Sequence, residues 1–527
     1  MTPSTRDYFV FDDLLYDDPA RAEHDWLTDI LQNHLGVKVH FLEQMLVEAL
    51  AAASGDERKA LIAQVSRLEQ GMPPVEQRVG QLEVLVRWFE GQGWPQYTLD
   101  PVGHPHAAAP GTLPGSLATH PTKPPRAESP PLRNGEGFDY SQYRLESWSN
   151  ARDYPALAEE LIQGIEAWVD NPPDGRWTMD DGRLSPGAAG TASDPHRPSS
   201  IVHRPPQASG TPSALDYAQA GDVDTLRRFV EGRLFYLTPV PNLMFVDDVA
   251  SVVNDRLLLS RMAVPGRARE PLLLDFIQRN HPRFKGTSCW TWRDEGMDEL
   301  RWQAGPSPLH LEGGNLVQLR EDLLVLAVNQ RTSIEAVQRV ADTWRADALK
   351  TGKKLILYVL RLPTGLIHLD TVLGVISHED CVVYSPVFEP YGPASVDVVR
   401  AELGEGPVTP TRSADFFGSL RDDGIDLKPI PCGGEEPVDQ QREQWFSACN
   451  LLAVAPGKVI TYRSTERTIE ELARRDYKII DITEVQTGTV KIDLDSPGKW
   501  ALKIKGSELS RGHGGPHSLV MPLARDR

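Results

Sequence analysis

At 527 residues, with 40% hydrophobic and 24% charged side chains, the chain is long enough for two to four domains' worth of core. A net charge of -19 argues against nucleic acid or an anionic membrane as partner, since both demand basic patches, and leaves room for a cationic small ligand. Four widely spaced cysteines without a CxxC pair, no apolar run of the roughly 18 residues that span a bilayer, and no basic-then-apolar leader point to a cytoplasmic protein without disulfides or zinc.

Pro19, just inside a helix start after Asp17 and Asp18, opens a pattern through Trp26, Leu27, Ile30 and Leu31 that stops at Gly36. Helical spacing returns over 43–53, 57–68 and 75–90. Residues 101–131 turn to Pro, Gly, Ala, His and Thr and read as a disordered linker. A helical island follows, with Leu157, Leu161, Ile165 and Trp168 on one face, and then a second Pro/Gly/Ser-rich stretch over 171–213.

From Leu234 the texture becomes α/β. Strands are expected at 256–260, 323–328, 354–360, 366–376, 381–386, 450–455 and 458–463, with helices over 332–351 and 468–475. Two alternating runs around Ser496-Pro497-Gly498 suggest a β-hairpin. No periodic repeat is evident.

Five segments set polar residues in apolar surroundings. PVPNLMFVDD carries Asn242, Phe245, Asp247 and Asp248, and taken alone reads more simply as a turn or helix start after a strand. In LHLEGGN, Glu312 ends a strand and Gly313–Gly314 permit a sharp turn, an arrangement common in ordinary loops. LIHLDTV puts His368 and Asp370 two apart on an expected strand, hence on one face, where burial without partners costs several kcal/mol each. That favours a shared polar site, with a satisfied core pair as the alternative and no third ligand to suggest a metal. NQRTS sets Arg331 at a strand-to-helix junction with Thr332 as N-cap; a solvated arginine is the plainer reading. RGHGGPHSLVMPL reads as a glycine-rich turn entering an apolar strand, or as a flexible tail.

In this order the five resemble the arginine deiminase family, whose motifs run PNL-x-F-T-R-D, LEGGD, small-x-RT, HLD and GG-x-x-C. FDDLLYDDPARAEHDWL, MAVPGRAREPLLLDFIQRNHPRF and NLLAVAPGKVITYRS with KGSELSRGHGG extend the likeness over 1–100 and 235–527. The resemblance implies an α/β fold, a five-bladed propeller (pentein) with an inserted helical subdomain. Residues 1–45 would begin the propeller, 46–100 and 136–170 would be helical, 101–135 and 171–213 proline-rich linkers, and 214–527 the main α/β body. The family's first strand would be missing, because the chain starts at a TPSN-like segment.

The family reaction is hydrolysis of L-arginine to citrulline and ammonia, with no metal or organic cofactor. A cysteine thiolate attacks the guanidinium carbon, and histidine serves as acid and then base. Carried over by position, Asp248 and Asp370 would bind the guanidinium, Glu312 would support the histidine, and His368 would be the general acid/base. Asn242, Arg267 and Arg331 would hold the amino-acid end, and Phe245 would pack on the methylenes.

Four departures follow. Ser518 stands at the nucleophile position, His513 replaces an arginine, Asn315 replaces the acid of LEGGD, and Val246–Asp247 replace Thr-Arg. A hydroxyl needs an adjacent base where a thiol needs little help. The expectation is an impaired or inactive arginine deiminase-like protein; the alternative is a pseudoenzyme that binds arginine or another guanidino compound. A second copy of the chain is the one macromolecular partner kept open.

Overall fold

The computed structural model describes residues 15–70, 96–99, 105–108, 154–163, 165–168, 177–180, 183–186, 229–230, 233–237, 239–284, 287–290, 309–363, 365–405, 408 and 410–523. It divides the chain into two units, 1–71 with 240–527, and 72–239.

In the first unit, one local arrangement occurs four times among the described residues: an antiparallel hairpin, a helix, then a strand parallel to the hairpin's second strand. It pairs Ala250–Val253 with Arg256–Leu259, crosses through helix Arg269–Asn280 and returns at Ser288–Trp290. The second runs Leu316–Arg320, Leu323–Val328, helix Ile334–Thr351, Leu355–Arg361, with Asp397–Leu403 and Thr411–Ser413 extending the sheet. The third runs Leu373–Val375, Asp380–Val383, helix Phe416–Asp422, Lys428–Pro431. In the fourth, Leu452–Ala455 and Lys458–Tyr462 precede helix Glu466–Arg474, and Lys499–Ile504 lies parallel between Lys458–Tyr462 and Tyr477–Asp481. The mixed sheets and crossover helices make the unit α/β, and none of the described sheets closes on itself.

Helix Ile334–Thr351 illustrates how sequence dictates these elements. Ser333 Oγ accepts from the Ala336 amide at 3.2 Å, and Val337, Val340, Trp344 and Ala348 form the buried stripe that packs on the strands it connects. Gly352 at φ +66° ends it in the left-handed conformation that glycine adopts without a Cβ penalty. The cap is thus Ser333 and not Thr332, whose hydroxyl is turned toward Glu312 and Asn315.

Other expectations are corrected. Residues 366–372 are not strand: His368 is extended, Leu369–Thr371 form a 3-10 turn, and only Leu373–Val375 pair. Of the expected hairpin around 496–498 only Lys499–Ile504 is a strand, and its partners are parallel. No strand follows Ser518 among the described residues. The repeat was absent from the sequence reading because its units share backbone topology and few side chains.

The first helix, Asp17–Asp29, continues as a π-turn to His34 before Gly36 at φ +67°. Helices Leu42–Ala52 and Gly55–Gln70 pack against Arg269–Asn280. In the second unit, helix Tyr154–Gln163 gives way to strand Ile165–Trp168 paired with Arg233–Leu237, so Ile165 and Trp168 are not helical. Two antiparallel pairs, 96–99 with 105–108 and 177–180 with 183–186, fall partly or wholly inside the stretches read as linkers. The rest of those stretches, and the expected helix over 75–90, lie outside the described residues. Among the described residues no helix is long and apolar enough to cross a membrane.

Candidate active site

Each repeat begins with a turn just before its hairpin, and these turns carry the polar motifs. Pro241–Met244 and Val246–Asp248 precede the first hairpin, Gly313–Asn315 the second, and Leu369–Thr371 the third; Asn450 precedes the fourth. The 3-10 turn at 313–315 packs against both the turn at 246–248 and the turn at 369–371. Glycines allow the approach. A Cβ on Gly313 would strike the Asp247 carbonyl, and one on Gly314 would come within 2.8 Å of the His368 ring. The two glycines are therefore needed for contact, not for a positive φ. Gly314→Ala is expected to displace His368 and destabilise the fold by about 1–3 kcal/mol, read from urea unfolding. A wild-type midpoint would mean the ring moves freely.

Six charged side chains form one buried network. His368 Nε2 lies 2.8 Å from Glu312 Oε2, and its Nδ1 lies 3.3 Å from Asp248 Oδ1. Arg267 Nη1 donates to Asp248 Oδ2 at 2.7 Å, while its Nε and Nη2 bond Glu270 and Nη2 also reaches the Asn242 carbonyl at 3.3 Å. Arg331 Nη1 meets both Glu312 oxygens at 3.3 and 3.4 Å. Arg331 is buried, which overturns the solvated reading. Glu270, which sequence reasoning missed, is the sixth member; an acid in the first turn of an ordinary helix gave no signal.

Burial alone would push the Glu312 carboxyl up. Arg331, His368 and Arg267 outweigh it and hold the group well below the ordinary carboxylate range. Burial likewise opposes a charge on His368, yet Asp248 and the Glu312 hydrogen bond carry its pKa above the ordinary value. For Glu270 burial prevails over the pull of Arg267, and the carboxyl is pushed up to about 7.

Glu270 and His368 therefore hold protons in the folded chain that the unfolded chain releases near 4.5 and 6.5. The stability they contribute is full below those values and is lost as pH rises through about 7 and beyond. The urea midpoint is expected to fall from about pH 4.5 through about pH 7 and onward; a flat or rising midpoint would contradict these protonation states. Glu312 acts oppositely, its contribution being full above about pH 4.5 and lost progressively as pH falls below that value.

Asn315 explains itself. Its Nδ2 donates to Asn329 and Thr332 and its Oδ1 accepts from Asn329 and the Leu369 amide, tying three motif segments together. An aspartate could accept there but not donate.

Ser518 is buried on the C-terminal loop. Its hydroxyl donates to Asn450 Oδ1 at 3.1 Å, an oxygen that also accepts from the Gly515 and Ser518 amides at 2.9 and 3.0 Å. Its carbonyl accepts from the Asp247 amide at 3.3 Å. Asn450 and His517 are further site residues that the sequence did not single out; His517 Nδ1 lies 3.3 Å from Asp370 Oδ2. Phe245 is buried in the core cluster of the fourth sheet, its ring in the space a Gly514 side chain would need. His513, at φ +65°, packs on Trp445 with ring centroids 4.2 Å apart. The fold brings Cys449 next to Asn450, but burial, Cys432 and Asp370 push its thiol well above the ordinary value, so it supplies no thiolate.

A family model for arginine deiminase matches residues 7–88 and 215–525, more than half of the chain. The arginine deiminase of Listeria welshimeri is 31% identical over 294 residues, 55% of this chain and 64% of that protein. Arginine deiminase 1 of Staphylococcus epidermidis is 29% identical over 296 residues, again 55% and 64%. The match thus spans a little under two thirds of those relatives. Among solved structures, the N-terminal domain of ArgZ, an arginine dihydrolase of cyanobacteria solved with substrate, has 17% identity over 54% of this chain and 78% of that one, with a TM-score of 0.34. Dimethylarginine dimethylaminohydrolase of Pseudomonas aeruginosa, solved with citrulline, has 17% identity over 53% and 76%, with a TM-score of 0.32. On the extent of the family match and the order of its motifs, the chain belongs to the arginine deiminase family.

Proposed function

We propose that the chain binds L-arginine or a closely related guanidino compound and, with serine at position 518, hydrolyses it poorly. The observation that carries this reading is the pairing of a guanidinium with Asp248 inside the buried network, where Arg267 Nη1 sits 2.7 Å from Oδ2. A carboxylate so placed, with Asp370 as the second, suits paired charge-assisted hydrogen bonds to a planar cation. His368, kept protonated by Asp248 and Glu312, is poised to give a proton to departing ammonia. Asn242, Phe245, Arg267, Arg331 and His513 would bind the rest of the substrate, and the reaction needs no cofactor. The five-bladed propeller belongs to the same reading; four repeats among the described residues support it.

The weak point is Ser518. Its hydroxyl proton is directed at an amide oxygen, which is no base, so attack on the guanidinium carbon lacks the activation a hydroxyl requires. That favours the second reading as well, a non-catalytic guanidino-binding protein. Calorimetric titration with arginine, run beside a citrulline-release assay, separates the readings. Binding with slow turnover supports the first, binding without turnover the second, and absence of binding removes both.

A further inference from the structure

A second polar cluster lies beside the Glu312 network. Asp247 from the first turn, Asp370 from the third and His517 from the C-terminal loop converge, and one donor atom from each lies within 4.8 Å of the other two. His517 Nδ1 stands 3.3 Å from Asp370 Oδ2 and 3.6 Å from Asp247 Oδ2. The aspartate side chains are 10% and 4% exposed, the histidine 33%. A separate observation also points to a ligand: Asp370 Oδ1 is buried without a hydrogen-bond partner.

We infer that Asp247, Asp370 and His517 form a binding site for a divalent transition-metal ion. Carboxylate and imidazole donors bind Zn2+ or Mn2+ at roughly 2.0–2.2 Å, which places donor atoms on one face of the ion roughly 3.0–3.5 Å apart. The 3.3 Å separation from His517 to Asp370 already matches and the 3.6 Å one to Asp247 is slightly long, so an ion would be seated with a small inward shift of the Asp247 carboxylate. A mixed oxygen and nitrogen set with an imidazole selects this class over Mg2+ and Ca2+, which take oxygen ligands. The partial exposure of His517 leaves coordination positions open to solvent. The site shares Asp370 with the proposed guanidinium site, so ion and guanidinium compete for one carboxylate.

The test uses the full chain, freed of metal by dialysis against a chelator and titrated with Mn2+ while the free-ion signal is followed by electron paramagnetic resonance. One ion per chain is expected. Asp247→Asn and His517→Gln should each weaken binding by about tenfold or more. Circular dichroism checks that each variant folds; His517→Gln, at the more exposed position, keeps the test open if Asp247→Asn does not. No Mn2+ bound up to about millimolar concentration, or equal binding by wild type and both variants, would overturn the proposal. The titration contains no arginine, so its failure is distinct from failure of the guanidino-binding reading.

Discussion

Ser518→Cys is expected to raise citrulline release from arginine by about 100-fold or more, mostly in kcat. The loop that carries the residue is pinned by Asn450 Oδ1 to the Gly515 and Ser518 amides and does not depend on the hydroxyl for its position. A thiol placed there keeps the backbone, loses one hydroxyl bond and gains a nucleophile with a pKa of roughly 8.5. A bound guanidinium would lower that value further. KM should change little, because the substrate-facing groups are untouched and His513 still replaces the expected arginine. Steady-state kinetics at several arginine concentrations measure both constants. If binding is intact and kcat does not rise, the serine is not what limits the chemistry, and Asp247 and His513 become the cause to pursue.

Glu312→Gln should cost about 3–5 kcal/mol of folding stability. This carboxylate is fully buried and faces Arg267, Arg331 and His368, besides accepting from the Ala263 amide at 3.0 Å. The amide keeps the volume but removes the charge that balances those cations, and its NH2 would oppose a donor. His368 should then lose its proton more readily, so the urea midpoint of the variant should fall less steeply with pH than that of wild type, with Glu270 supplying the remaining fall. Equilibrium urea unfolding across pH reads both effects. A variant within about 1 kcal/mol of wild type would mean that the cations are balanced elsewhere.

The sequence disclosed the elements and the site unequally. Helix 334–351 was legible because its apolar stripe, cap and terminal glycine agree. The five motifs were legible as a set through their order, since each alone resembles a turn. LIHLDTV misled because an apolar run with alternating polar residues satisfies the strand pattern, while tertiary contact with Asn315 holds Leu369 in a turn. Gly313 and Gly314 were read as turn-makers; their use is close approach, which depends on atoms far along the chain. Asn450, 68 positions before the serine it holds, carries no local mark at all.

Glu23 is buried in the first helix, where it accepts from Ser507 Oγ and from the amides of Glu508 and Leu509 at 2.9–3.0 Å. During synthesis that carboxylate has no native partner until residue 509 leaves the ribosome, so it must wait in water. The first helix therefore cannot dock in final form while the chain grows, and the loop bearing Ser518 is already made by the time that docking becomes possible. Completion of the buried polar site is thus a late, post-translational event, and a nascent chain stalled before residue 507 would present the apolar face of its first helix to chaperones.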